Sequence, residues 1–128
     1  MGHCALTAMP LDYLDFDYSE DAEGTGTWDA MASVPPQRLP ALHAEIARLL
    51  AWAERTFAGR RGPREEGGDW DYDLQAQHED GAPLRIAYDA AHGRLEAEPA
   101  RGRTTVTLSL SGSAAFGEAL CGAFGLST

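Results

Sequence analysis

The chain has 128 residues, of which 44% are hydrophobic, and it carries a formal net charge of −10 at pH 7. This length and composition are typical of one globular domain that buries a core of its own. Because so acidic a surface repels phosphates, nucleic acid and anionic membranes are excluded as partners, whereas a basic protein partner stays open.

The N-terminal part is predicted to form a β-hairpin. Residues 1–10 are expected to be a disordered N-terminal segment or residues left by cloning, and residues 11–126 the single domain. Over residues 11–19 aromatic and acidic side chains interleave with a period near two, which predicts a half-buried strand with Leu14, Phe16 and Tyr18 on one face. Residues 25–34 alternate more regularly, and the charged link of residues 20–24 joins the two strands into a hairpin.

A helix over about residues 40–58 is predicted to follow. Pro40 fits the first turn of a helix, where its missing N–H has no partner to lose. Trp52 falls about 120° from the centre of the apolar stripe, so we expect it to cover a flank, contact the next loop or meet a partner. Glu45 lies off the stripe as well. The stripe itself consists of Leu39, Leu42, Ile46, Leu49, Leu50, Ala53 and Phe57.

The C-terminal half is predicted to contain four strands and a second helix. Residues 59–68 have no apolar side chain to hold them, so they are expected to form the longest and most mobile loop. Strands are predicted at about residues 69–78, 84–88, 94–98 and 103–110, and a helix at 114–124 with Ser113 and Gly125 as caps. The order ββ-α-ββββ-α predicts an α+β fold: an antiparallel meander sheet of about six strands, with two helices packed on one face as a two-layer sandwich.

No pattern in the chain is typical of catalysis or of a cofactor. Ser111 and Ser113 lie at a strand-to-helix junction, but the glycines of a nucleophile elbow are missing, so helix capping is favoured. The histidines and cysteines lack metal-ligand spacing. Residues two apart on a strand stand about 6.6–7 Å apart, so one row of aspartates cannot chelate a cation alone. We therefore predict no catalytic residue, metal or cofactor, and the chain is more typical of a binding protein than of an enzyme.

The composition also predicts a cellular setting. Lysine and asparagine are absent and all ten basic residues are arginine, which is typical of a GC-rich bacterial genome. Neither a secretory signal nor an apolar run of about 18 residues is present in the sequence. Cys4 and Cys121 lie near opposite ends and are expected to be free thiols, which favours the cytoplasm.

Three hypotheses for function remain open. The leading one is a non-catalytic protein-interaction module that binds a basic partner, although a solvated outer face is the plainer interpretation of the same charges. The first alternative is an enzyme or small-ligand binder with a site near the 59–68 loop, and the second is a homodimerising unit with Trp52 and a sheet edge at its interface. The candidate interaction face is Asp15, Asp17, Asp29, Asp69, Asp71 and Asp73. The candidate ligand or interface patch is Trp52, Arg60, Arg61, Arg64 and His78, next to Trp70.

Overall fold

The computed structural model describes residues 11–126, in which seven strands and two α-helices form an α+β fold. The predicted segment of residues 1–10 lies outside the described residues. The helices are α1 (Leu39–Thr56) and α2 (Ala114–Phe124). The strands are β1 (Asp17–Glu20), β2 (Gly26–Val34), β3 (Trp70–Gln77), β4 (Pro83–Leu84), β5 (Ile86–Asp89), β6 (Arg94–Ala97) and β7 (Thr104–Gly112).

The strands form a five-stranded antiparallel sheet in the order β1-β2-β7-β3-β4 and a separate β5–β6 hairpin. The predicted α+β class with antiparallel sheets is confirmed. The structure differs from the predicted meander because β7 lies between β2 and β3 instead of beside β6. Alternation predicts which face of a strand is buried but not which strand is its neighbour. The strand predicted at 84–88 is also divided at Arg85, and its two parts belong to different sheets.

The core lies between one face of the large sheet and both helices. Along β2 and β7 every second residue is buried, as their alternation predicts. Both helices pack on this face, because their apolar residues belong to the same buried cluster as those of the sheet. From the helices this cluster contains Leu39, Leu42, Ile46, Leu49, Leu50, Trp52, Ala53, Phe116, Leu120 and Phe124. The opposite face of the sheet is polar.

Trp52 and Glu45 are buried although both lie off the apolar stripe of α1. Trp52 packs edge-on against Phe124, with 5.4 Å between ring centroids, so it joins the two helices. The carboxylate of Glu45, a residue only 3% exposed, accepts hydrogen bonds from the backbone N–H groups of Asp12, Tyr13 and Leu14 at 2.6, 3.0 and 2.8 Å. This anchor holds the segment before β1 against α1, and the strand predicted over residues 11–19 is therefore reduced to Asp17–Glu20.

Candidate functional site

The carboxylates of the outer sheet face gather at one end of the sheet. The strand register puts Asp17 opposite Asp29, Asp29 opposite Ser109, and Ser109 opposite Asp73. These residues form one row across β1, β2, β7 and β3, about 14 Å long at the usual spacing between strands. Asp71 lies in the adjacent row of the same face.

A cavity of about 430 Å³ continues this acidic end towards the β1–β2 turn and the 59–68 loop. Its walls include Thr25 from the turn, Pro63 from the loop and Ser111 from β7. A smaller hollow of about 220 Å³ over Asp73 shares Asp71 and Ser111 with it. We call the carboxylates of the row and the cavity together the acidic patch: Asp17, Asp21, Glu23, Asp29, Glu65, Asp71 and Asp73.

Arginine side chains border the acidic patch at the 59–68 loop. Arg61 Nη1 lies 3.6 Å from Asp71 Oδ1 and Arg61 Nε lies 3.4 Å from Glu54 Oε2, so one guanidinium is shared between two carboxylates. The same group lies over the ring of Tyr72, 5.4 Å from its centroid. Arg60 pairs with Asp69 at 2.7 Å, which compensates the charge of that predicted face residue. Asp15 is exposed but precedes β1 and so lies outside the strand rows.

The opposite end of the outer face has a different character. Arg103 donates from Nε to Ser33 Oγ at 3.1 Å and from Nη2 to the Ser33 carbonyl at 3.0 Å. Between the two ends Met31 is opposite Thr107, and its side chain is 67% exposed. The face is therefore polarised along its strands, with carboxylates at one end and a guanidinium at the other.

The structure does not bring the predicted ligand patch together. Trp52 is packed between the helices, and His78 is only 3% exposed. Arg61 bridges to Trp70 at the start of β3, whereas His78 follows its end, roughly 26 Å away at the rise of a strand. His78 Nδ1 accepts a hydrogen bond from the backbone N–H of Arg101 at 3.2 Å. Arg60 and Arg61 are ion-paired, and Arg64 begins the 3-10 turn Arg64–Glu66.

A larger cavity of about 630 Å³, which the sequence did not predict, lies on the helix side of the β1–β2 turn. The Trp28 indole forms the floor of the cavity and packs closely against Gly26 and Gly117. A Cβ on these residues would lie only 2.8 or 2.7 Å from the indole, so glycine is needed to leave room for the ring. The Tyr18 hydroxyl donates to Glu20 at 2.6 Å, and this bond is the main cause that raises the Tyr18 pKa. We call this cavity the helix–hairpin groove, lined by Tyr18, Glu20, Trp28, Gly117, Glu118 and Cys121 among others.

Within residues 11–126, no three side chains of His, Cys, Asp or Glu are arranged to hold a metal ion. In the same range no helix combines the length and the apolar character needed to cross a membrane. Comparison of the whole chain with protein-family models, with curated proteins and with solved structures finds no match. Function is therefore inferred from the geometry of the site.

Proposed function

We propose that this chain is a non-catalytic protein-interaction module that binds a basic protein through the acidic patch. The observation that carries the proposal is the row of Asp17, Asp29 and Asp73 on one exposed sheet face, next to a cavity lined by four more carboxylates. Concentrated charge of one sign attracts a partner of the opposite sign and orients it during association.

Neutral donors hold two carboxylates of the row in position. The Ser109 hydroxyl donates a short hydrogen bond to Asp29, and Gln75 Nε2 donates to Asp73 at 2.8 Å. Hydroxyl and amide groups orient a carboxylate without neutralising it, so the charge remains available to an incoming guanidinium or ammonium group.

The row also has an energetic cost in the free protein. Asp17 and Asp29 are direct cross-strand neighbours, and like charges in that position destabilise a sheet. A basic partner that bridges them removes this repulsion. Because this repulsion is present only in the free protein, its removal on binding adds to the affinity for the partner.

The test begins with capture of a partner from the lysate of the source cells, followed by reconstitution with that partner in purified form. Calorimetry then compares Asp73→Arg with Glu96→Arg, which makes the same change of charge at an exposed position of β6. We expect Asp73→Arg to weaken binding about tenfold or more, and a rise from about 50 to about 500 mM salt to weaken it further.

Glu96→Arg is expected to leave the affinity nearly unchanged. Equal losses for the two variants would mean that only net charge matters, which contradicts a specific patch. Affinity that does not respond to salt would likewise count against the proposal.

A further inference from the structure

The outer edge of β1 is open among the described strands, and hydrogen-bond alternation shows which of its residues are available. The Asp21 N–H donates to the Thr25 carbonyl at 3.0 Å, so the backbone of Asp21 faces the chain that leads into β2. Along an antiparallel strand, successive residues direct their backbone N–H and C=O groups alternately to one side and the other. Ser19 is two residues before Asp21, so it also directs its backbone groups to β2. Tyr18 and Glu20 therefore direct theirs to the open edge, where no described strand pairs with β1.

The side chains of the same two residues line the helix–hairpin groove. Tyr18 and Glu20 face this groove on the helix side, whereas Asp17 and Ser19 share the outer face with Asp29 and the acidic patch. Successive residues of a strand point to opposite faces. A segment added to the edge of β1 would therefore put alternate residues into the groove and the others beside the acidic row.

The chemistry of the groove suits a cationic side chain with an aliphatic stem. The Tyr18 and Trp28 rings lie 5.0 Å apart between centroids and form an aromatic wall. Glu20 and Glu118 supply carboxylates, and among the described residues no arginine lines the groove. Arginine and lysine side chains bury their stems against aromatic rings and keep the charged group near carboxylates.

We propose that a basic segment of the partner binds in extended conformation along the outer edge of β1 and inserts alternate side chains into the helix–hairpin groove. This inference rests on the proposed function and adds to it the mode of binding. In strand addition, backbone hydrogen bonds supply affinity and pockets for alternate side chains supply specificity. Because β1 is short and acidic, it disfavours neutral or acidic strands, so the edge selects a basic one.

The test uses a synthetic peptide of about eight residues, the usual length of a strand, in which arginine alternates with valine. Titration into the isotope-labelled full chain is followed by backbone amide NMR. We expect the largest shifts at Tyr18, Glu20, Gly117 and Glu118. A peptide N-methylated at every second residue lacks the donors that face β1, so we expect it to bind about tenfold more weakly or worse.

Variants of the protein complete the test. Glu118 is exposed on α2, so Glu118→Arg is expected to fold, as a dispersed spectrum would verify, and to weaken the peptide about tenfold. Glu118→Gln should give an intermediate loss, and Glu96→Arg none. Shifts confined to Asp29, Asp71 and Asp73, with equal binding of the N-methylated peptide, would overturn edge pairing but retain the acidic patch. No shift at any residue would overturn both proposals.

Discussion

The carboxylate of Glu45 accepts a 2.8 Å hydrogen bond from the backbone N–H of Leu14, a residue 31 positions earlier in the chain. Two more amides, from Asp12 and Tyr13, donate to the same carboxylate. Leu14 itself is 4% exposed and belongs to the core cluster. The anchor therefore positions the segment that leads into β1, and with it the sheet edge that β1 forms among the described strands.

We expect Glu45→Gln to lower the free energy of unfolding by about 1–3 kcal/mol, because an amide has one acceptor oxygen in place of two and turns an NH₂ group towards backbone donors. Urea unfolding followed by tryptophan fluorescence measures this. Glu54→Gln on the same helix is the matched control, since Glu54 makes a partly exposed ion pair with Arg61 that is worth at most about 1 kcal/mol. Equal losses in the two variants would contradict the role of the anchor.

Trp52→Ala is expected to destabilise the fold by about 3–5 kcal/mol, because it removes a ring packed against Phe57, Phe116 and Phe124. Thermal or chemical unfolding provides the measurement. The comparison variant is Arg61→Ala, which also changes a residue of the predicted ligand patch. It should change the free energy of unfolding by less than about 1 kcal/mol. A Trp52→Ala protein of unchanged stability would show that the ring does not contribute to the core.

Asp17→Asn should stabilise the protein at low salt by about 0.2–1 kcal/mol, because it removes the repulsion between Asp17 and its cross-strand neighbour Asp29. The gain should fade at high salt, where the two charges are screened. Unfolding curves at both salt concentrations measure it, and Glu96→Gln makes the same charge change elsewhere. If both variants gain equally, net charge and not the pair is responsible.

His43 and His92 are expected to titrate on opposite sides of the ordinary histidine pKa of 6.5. Burial lowers the pKa of half-buried His43, whereas the pKa of His92 is raised because its protonated Nδ1 donates a hydrogen bond to Asp89 Oδ2. Assigned ring-proton NMR spectra across pH measure both values. Asp89→Asn should return only His92 towards 6.5, and a common midpoint for the two rings would refute the assignment.

The same shifts determine how stability depends on pH. Since the His92 pKa is raised on folding, its contribution is complete below pH 6.5 and is lost as pH rises through the folded pKa. In return, the hydrogen bond with His92 lowers the pKa of Asp89 from 3.8. The contribution of Asp89 to stability is therefore present above pH 3.8 and is lost as pH falls through the pKa of Asp89 in the folded protein. The His92–Asp89 pair should therefore contribute most between these limits. His43 opposes it, because its lowered pKa costs stability as pH falls below 6.5.

Local patterns predicted much of the fold because each depends on neighbours in sequence. The inward row from Trp28 to Val34 is buried as expected, and α2 begins and ends at its predicted caps, with Ser113 accepting a hydrogen bond from the Phe116 N–H and Gly125 at φ 68°. The packing partners of Trp52 and Glu45 were not predicted because they are distant in sequence: a stripe calculated for one helix contains neither α2 nor the N-terminal segment.

For the candidate site too, the sequence predicted what depends on residues close in sequence but not what depends on distant ones. Alternation indicated that Asp71 and Asp73 share a face, and the structure has both on the outer side of β3. Alternation could not indicate that Ser109 lies between Asp29 and Asp73, because the position of Ser109 depends on β7 lying between β2 and β3 in the sheet. The helix–hairpin groove was missed because it exists only where α2 meets the β1–β2 turn.

The position of β7 in the sheet affects how the chain folds during synthesis. Its register joins Thr104 to Val34 and Gly112 to Gly26 on one side, and Gly112 to Trp70 on the other. The β1–β2 and β3–β4 pairs precede β7 in the chain, but nothing joins them into one sheet until residues 104–112 arrive, so completion of the fold is expected to be one late, cooperative and comparatively slow event. During synthesis the apolar rows of β2 and β3 are then exposed together, which makes this interval the time of greatest aggregation risk and of greatest need for chaperones.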